Sequence, residues 1–158
     1  MAWKRLRAAV VTAGLALGTV GVGASPAPAA VANCGGEGTV VSANHIRVRA
    51  SAREIGTVQL CRTSVATYGY FYFAWVRLYE DLGTGQHANA YLHVYDSAGS
   101  DAGTFTCNSG PITGLERECR TAFTRYETGN SGGLYRADGY VFNSTGAIIA
   151  AGATAKTR

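Results

Sequence analysis

The chain has 158 residues and carries 14 Lys and Arg against 10 Asp and Glu, a formal net charge of +4. Three of the basic residues, Lys4, Arg5 and Arg7, sit at the extreme N-terminus, and the remainder is close to neutral at +1. A near-neutral body argues against nucleic-acid or anionic-membrane binding, which draws on a dense cationic footprint.

Residues 1–32 read as a secretory signal peptide. The basic start is followed by Ala8 to Ala24, which is apolar, small and uncharged, and Ala30-Val31-Ala32 fits a small-x-small cleavage site. The Gly- and Ala-rich apolar core favours cleavage over retention as a membrane anchor, so no stable membrane insertion is expected of the mature chain. An Arg-rich, Lys-poor body behind such a leader resembles the composition of exported actinobacterial proteins. Asn33 to Arg158, 126 residues, then form one domain able to bury its own core.

The mature chain opens on a loop, Cys34 to Gly38, followed by a short strand at Thr39 to Ser42 and a second at His45 to Ala50. Ser51 to Gly56 reads as a turn and Thr57 to Val65 as the next strand. Tyr68 to Tyr79 is the densest apolar run, with seven aromatics in twelve residues and no proline or acid, which favours a strand. Both of its faces are mostly apolar, so a central, covered strand is expected. His87 to Tyr95 alternates cleanly, with Ala88, Ala90, Leu92 and Val94 on one face and Asn89, Tyr91, His93 and Tyr95 on the other. A short Gly-containing connection suggests that these two strands pair as an antiparallel hairpin. Thr104 to Cys107 and Cys119 to Tyr126 are further strands around the turn-rich loop Asn108 to Gly114. Leu134 to Asn143 and Ala147 to Ala155 form a closing hairpin about Asn143-Ser-Thr-Gly146. The sum is an all-β domain, a single antiparallel sandwich or barrel of about seven to nine short strands.

Four cysteines, Cys34, Cys61, Cys107 and Cys119, all lie in the mature chain, and an even count in an exported protein predicts two disulfides. Of the three possible pairings, loop economy favours Cys34–Cys61 with Cys107–Cys119.

No catalytic constellation emerges, and no cofactor is implied. Gly129-Asn-Ser-Gly-Gly133 resembles the Gly-Asp-Ser-Gly-Gly segment around the nucleophile of chymotrypsin-like serine proteases, which would make Ser131 a nucleophile. The resemblance ends there: Asn130 replaces the Asp, Leu134 replaces the usual proline, and no histidine has the family's setting, so the segment reads as a Gly-Ser loop. His87 and His93 would lie about 20 Å apart along one strand, which predicts no metal site. Asn143-Ser-Thr145 matches an N-glycosylation sequon.

The candidate ligand-binding residues follow from the expected hairpin. If its two strands share an apolar inner face, Trp75, Arg77 and Tyr79 would lie beside Tyr91, His93 and Tyr95 on the outer one. Trp, Tyr and Arg are enriched at binding hot spots. The expectation is therefore a secreted, non-enzymatic binding protein for an extracellular polymer or protein. An inhibitor of an extracellular hydrolase, inserting Asn108–Gly114 or Gly129–Gly133, is the alternative, and a small secreted hydrolase a further one.

Overall fold

The computed structural model describes residues 33–125 and 132–158. The signal peptide assigned to residues 1–32, and Ser131 with most of its loop, lie outside them. The described chain begins with a 3-10 turn, Cys34–Gly36, and continues as nine strands: β1 Thr39–Val48, β2 Glu54–Val65, β3 Gly69–Leu78, β4 His87–Tyr95, β5 Asp101–Thr106, β6 Ile112–Thr113, β7 Glu118–Arg120, β8 Leu134–Phe142 and β9 Ile148–Ala153. Every pairing is antiparallel, in the order β5-β4-β8-β9-β1-β2-β3-β7, with β6 added beside β4.

This sheet curls into a nearly closed barrel, so the all-β expectation holds. The ends of the order meet just past β5. There Cys107 bridges Thr121, the Asn108 N–H donates to Arg120 O at 2.8 Å, and the Cys107–Cys119 disulfide joins the same two segments. The second disulfide, Cys34–Cys61, ties the N-terminal turn to β2, so both favoured pairings are present.

Period-2 alternation fills the interior. β2 and β3 contribute Val58, Leu60, Val76 and Leu78, while β4, β8 and β9 interleave Leu92, Val94 and Val141 with the small Ala88, Ala90, Ala137 and Ala150. Gly139 is the tightest point: a Cβ there would lie 2.8 Å from Ile46 Cδ1 and 2.9 Å from Val76 Cγ2. Tyr72 of β3 and Tyr135 of β8 stack across the interior with ring centroids 4.0 Å apart.

The expected hairpin between the aromatic run and His87–Tyr95 does not form. β3 pairs with β2 over ten residues and with β7 on its other edge, while β4 pairs with β8 along its whole length and with β5. Both edges of each strand are therefore taken, and β3 and β4 belong to different walls of the barrel. The apolar outer side of β3 is covered by the N-terminal turn instead. Phe73, Trp75, Cys34 and Cys61 form a small second core outside the barrel, with Val40 at its margin. Gly35, at φ +63°, lies over the indole, and the Cys34 N–H donates to Oε1 of the buried Gln59 at 3.1 Å.

Two further differences have local causes. The strands expected at Thr39–Ser42 and His45–Ala50 are one, β1, whose register shift between Val40 and Ser42 breaks the alternation. β6 lies inside the expected Asn108–Gly114 loop and pins it to β4, with Ile112 buried.

Two measurements check this packing. Gly139→Ala should cost about 1–3 kcal/mol in chemical denaturation, because the added methyl meets the stiff β-branched side chains of Val76 and Val58 as well as the tip of Ile46. Trp75 is the one tryptophan of residues 33–158 and is 2% exposed. Its emission should be blue-shifted and protected from acrylamide, and should move to the red when the Cys34–Cys61 disulfide is reduced.

Candidate functional site

The six residues nominated from sequence fall into two groups. Trp75 is buried under the N-terminal turn, whereas Arg77 and Tyr79 are exposed at the far end of β3. Tyr91, His93 and Tyr95 stand on the outer face of β4, on another wall. The single patch is thus a correction: its halves were joined by a hairpin that the chain does not make.

The β4 half gains partners from β8. Along Leu134–Phe142, Tyr135, Ala137, Gly139 and Val141 point inward, leaving Arg136, Asp138, Tyr140 and Phe142 outside. Register places Tyr91 opposite Asp138, His93 opposite Arg136 and His87 opposite Phe142. The rings make a continuous array. Tyr91 and His93 are nearly parallel with centroids 6.4 Å apart, Tyr91 meets Tyr140 edge to face at 5.5 Å, and His87 stacks on Phe142 at 4.8 Å. These rings are half-buried rather than covered. Tyr95 extends the row beyond His93 but is capped by Lys156, whose Nζ lies 3.5 Å from its ring centre.

A carboxylate sits in the middle of the array. The Asp138 side chain is 4% exposed although it lies on the outer face. Its small cross-strand neighbour on β9, Ala153, contributes no competing side chain. Arg136 donates to it twice, from Nε at 2.7 Å and from an Nη at 3.0 Å, and the Tyr140 hydroxyl donates at 2.8 Å. His93 Nε2 lies 3.4 Å from Asp138 Oδ2, and its Nδ1 is 3.0 Å from Thr104 Oγ1 on β5. Partners on three strands therefore fix the charged and phenolic groups that stand among the rings.

The electrostatics follow from this geometry. Burial raises the Tyr140 pKa above the ordinary phenol value, and the hydrogen bond and charge of Asp138 raise it further against a smaller opposing effect of Arg136. Burial opposes the charge of Arg136, but Asp138 outweighs it and the guanidinium pKa is raised.

Thr104, His93 and Asp138 form a hydroxyl–imidazole–carboxylate line. Nucleophilic acyl transfer also needs converging donors for the oxyanion. Thr104 lies within an extended strand, where successive N–H groups point to opposite edges. The arrangement offers hydrogen-bonding groups beside stacked rings. Elsewhere, His45 pairs with Glu54 at 3.1 Å, and among the described residues no three His, Cys, Asp or Glu gather as a metal site. Asn143 of the sequon accepts hydrogen bonds from Thr145 and from the Ala147 N–H, which sets the β8–β9 turn.

Asp138, Arg136 and Tyr140 were not among the nominated residues. Their signal is the alternation of Arg, Asp and Tyr with Tyr135, Ala137, Gly139 and Val141, which puts the three polar groups on one face. Comparison with protein-family models, with curated proteins and with solved structures finds no match for this chain.

The raised Tyr140 pKa has a definite sign. The native state holds the phenolic proton more tightly than the unfolded chain, so this contribution to stability is complete below about pH 10 and is lost as pH rises through the native value. The phenolate absorbance attributable to Tyr140, as the difference between wild type and Tyr140→Phe, should appear at higher pH than for a free tyrosine. Asp138→Asn should move it down.

Proposed function

We propose that this chain is a secreted binding protein that recognises a hydroxyl-rich polymer of the cell envelope through the outer face of β4 and β8. The observation that carries the reading is Asp138, a carboxylate almost fully buried on the outside of a barrel, which orients Arg136, Tyr140 and His93 within a half-exposed aromatic array. Sugar rings present apolar faces edged by hydroxyls. Aromatic side chains pack against the faces, while a fixed guanidinium, imidazole and phenol satisfy the hydroxyls. Because the polar groups are already held, little side-chain ordering remains to oppose binding. The basic, apolar leader supports export, and two disulfides fit an oxidising compartment.

Depletion of the mature protein by insoluble peptidoglycan, chitin and cellulose tests the reading. Retention by at least one polymer is expected. Tyr91→Ala with His93→Ala should weaken it about thirtyfold, the effect of losing a hot spot of about 2 kcal/mol. Trp75 emission should stay unchanged, showing that the fold is kept. Equal retention of wild type and double variant, or retention by none of the polymers, overturns the assignment.

A further inference from the structure

The two ends of the barrel interior differ in character. Where β3 and β8 begin, Tyr72 and Tyr135 stack across it with ring centroids 4.0 Å apart. At the other end β1, β3 and β8 finish and β2, β4 and β9 start. There the interior rows end in aliphatic side chains, Ile55, Leu78, Val141 and Ala150, and these line a cavity of about 190 Å³. Val48, Leu82 and Ile149 complete its apolar walls. All three pack on the core yet stay only partly buried.

The entrance is polar, and its charges are matched. Arg53 Nη1 lies 2.6 Å from Glu80 Oε2, and Arg117 Nε lies 2.8 Å from Asp81 Oδ1. Gln86 adds a neutral group to the lining. Its Oε1 accepts from the Gly83 N–H at 2.9 Å, and its own backbone N–H donates to Gly83 O at 3.0 Å, which folds residues 83–86 into a tight turn. A backbone N–H must meet an oxygen, so this bond fixes which end of the amide is which. The NH₂ group that remains has no hydrogen-bond partner among the described residues.

We propose that this end of the barrel binds a small neutral carbonyl compound, with its alkyl or aryl body against the aliphatic walls and its oxygen accepting from the Gln86 amide. Barrel mouths are favoured ligand sites, apolar with a few placed polar groups. The walls give a water molecule few partners, whereas a hydrocarbon body completes the packing of Val48, Leu82 and Ile149. A cavity of about 150 Å³ with comparable walls takes up benzene, so this one suits a single ring or short chain with a small head. A charged head would compete with one of the entrance ion pairs, and a neutral acceptor leaves both intact. The site lies inside the barrel end and is independent of the polymer-binding reading, which rests on the outer face of β4 and β8.

The test is titration of the purified protein with acetophenone, followed by carbon–proton correlation spectra of the Ile, Leu and Val methyl groups. Saturable shifts are expected at Val48, Ile55, Leu78, Leu82, Val141 and Ile149, with Val65 and Val94, near the opposite end, unmoved. Ethylbenzene, which keeps the ring and lacks the oxygen, should bind about fivefold more weakly, the effect of one neutral hydrogen bond. Gln86→Glu keeps the oxygen that accepts from Gly83 and removes the donor, so it should erase that preference. Val48→Phe should fill the cavity and abolish binding of both compounds, with Trp75 emission unchanged as the check on folding. Should that variant fail to fold, the methyl shifts of the wild type decide alone. Absence of saturable shifts, shifts centred on other methyls, equal binding of the two compounds, or undiminished binding to a folded Val48→Phe overturns the proposal.

Discussion

The structure depends on the seam at which the sheet meets itself. β5 and β7 are the two ends of the strand order, and an open sheet of this width would leave two unpaired edges. They are joined by little backbone, the Cys107–Thr121 bridge and the bond from Asn108 to Arg120. The Cys107–Cys119 disulfide adds a covalent link across a separation of 12 residues, for which loop closure suggests roughly 3 kcal/mol. The buried Thr121 extends the closure to β3: its Oγ1 accepts from the Ala74 N–H at 3.1 Å, and its own N–H donates to Ala74 O at 3.0 Å. With the circumference fixed here, the interior has a set width. The walls must then be complementary in size, which is why Gly139 faces Ile46 and Val76.

A closed barrel of this size uses its inward side chains for its core, so aromatic groups outside it need another explanation. Two such groups lie over the walls of the barrel among the described residues, and they are resolved in opposite ways. Over β3, the three-residue turn Cys34–Gly36 is held down by a disulfide and by Gln59, and Phe73 and Trp75 are sealed beneath it. Over β4 and β8 the rings stay half exposed, and the group at their centre is a buried carboxylate rather than another apolar side chain. Burying a charge is costly unless it is paired and hydrogen-bonded. Asp138 meets that condition with donors from Arg136 and Tyr140, whose heads remain at the surface. The same residue types thus serve stability on one wall and present an ordered surface on the other.

Much of this was legible in the sequence, and what was not has identifiable causes. The bounds of β4 coincide with its alternation because one face is buried and the other is not. β3 was recognisable as a strand, but alternation says which face is apolar and not which strand lies alongside. Its partner β7 is only three residues long, and its cover is a turn rather than a second sheet. The register shift in β1 reverses the phase of the pattern, so one strand reads as two. The β4 half of the site was visible as Tyr91, His93 and Tyr95. The β8 half was encoded equally clearly at 136, 138 and 140, but seeing the two together requires the β4–β8 pairing, which spans some forty intervening residues.

Charge shows most plainly why composition alone misleads. Exposed ion pairs contribute little stability, yet their placement polarises the molecule. Arg47–Glu54, Arg53–Glu80 and Arg117–Asp81 all cluster at the end where β2 begins and β3 finishes. Each of these three guanidiniums is matched by an acid within hydrogen-bond reach. At the opposite end Arg62 lies over the ring of the exposed Tyr70. Attraction over a surface decays within about 8–10 Å at physiological salt, so a partner responds to the local arrangement rather than the total. The net charge of the chain therefore says little about how charge is arranged at either end.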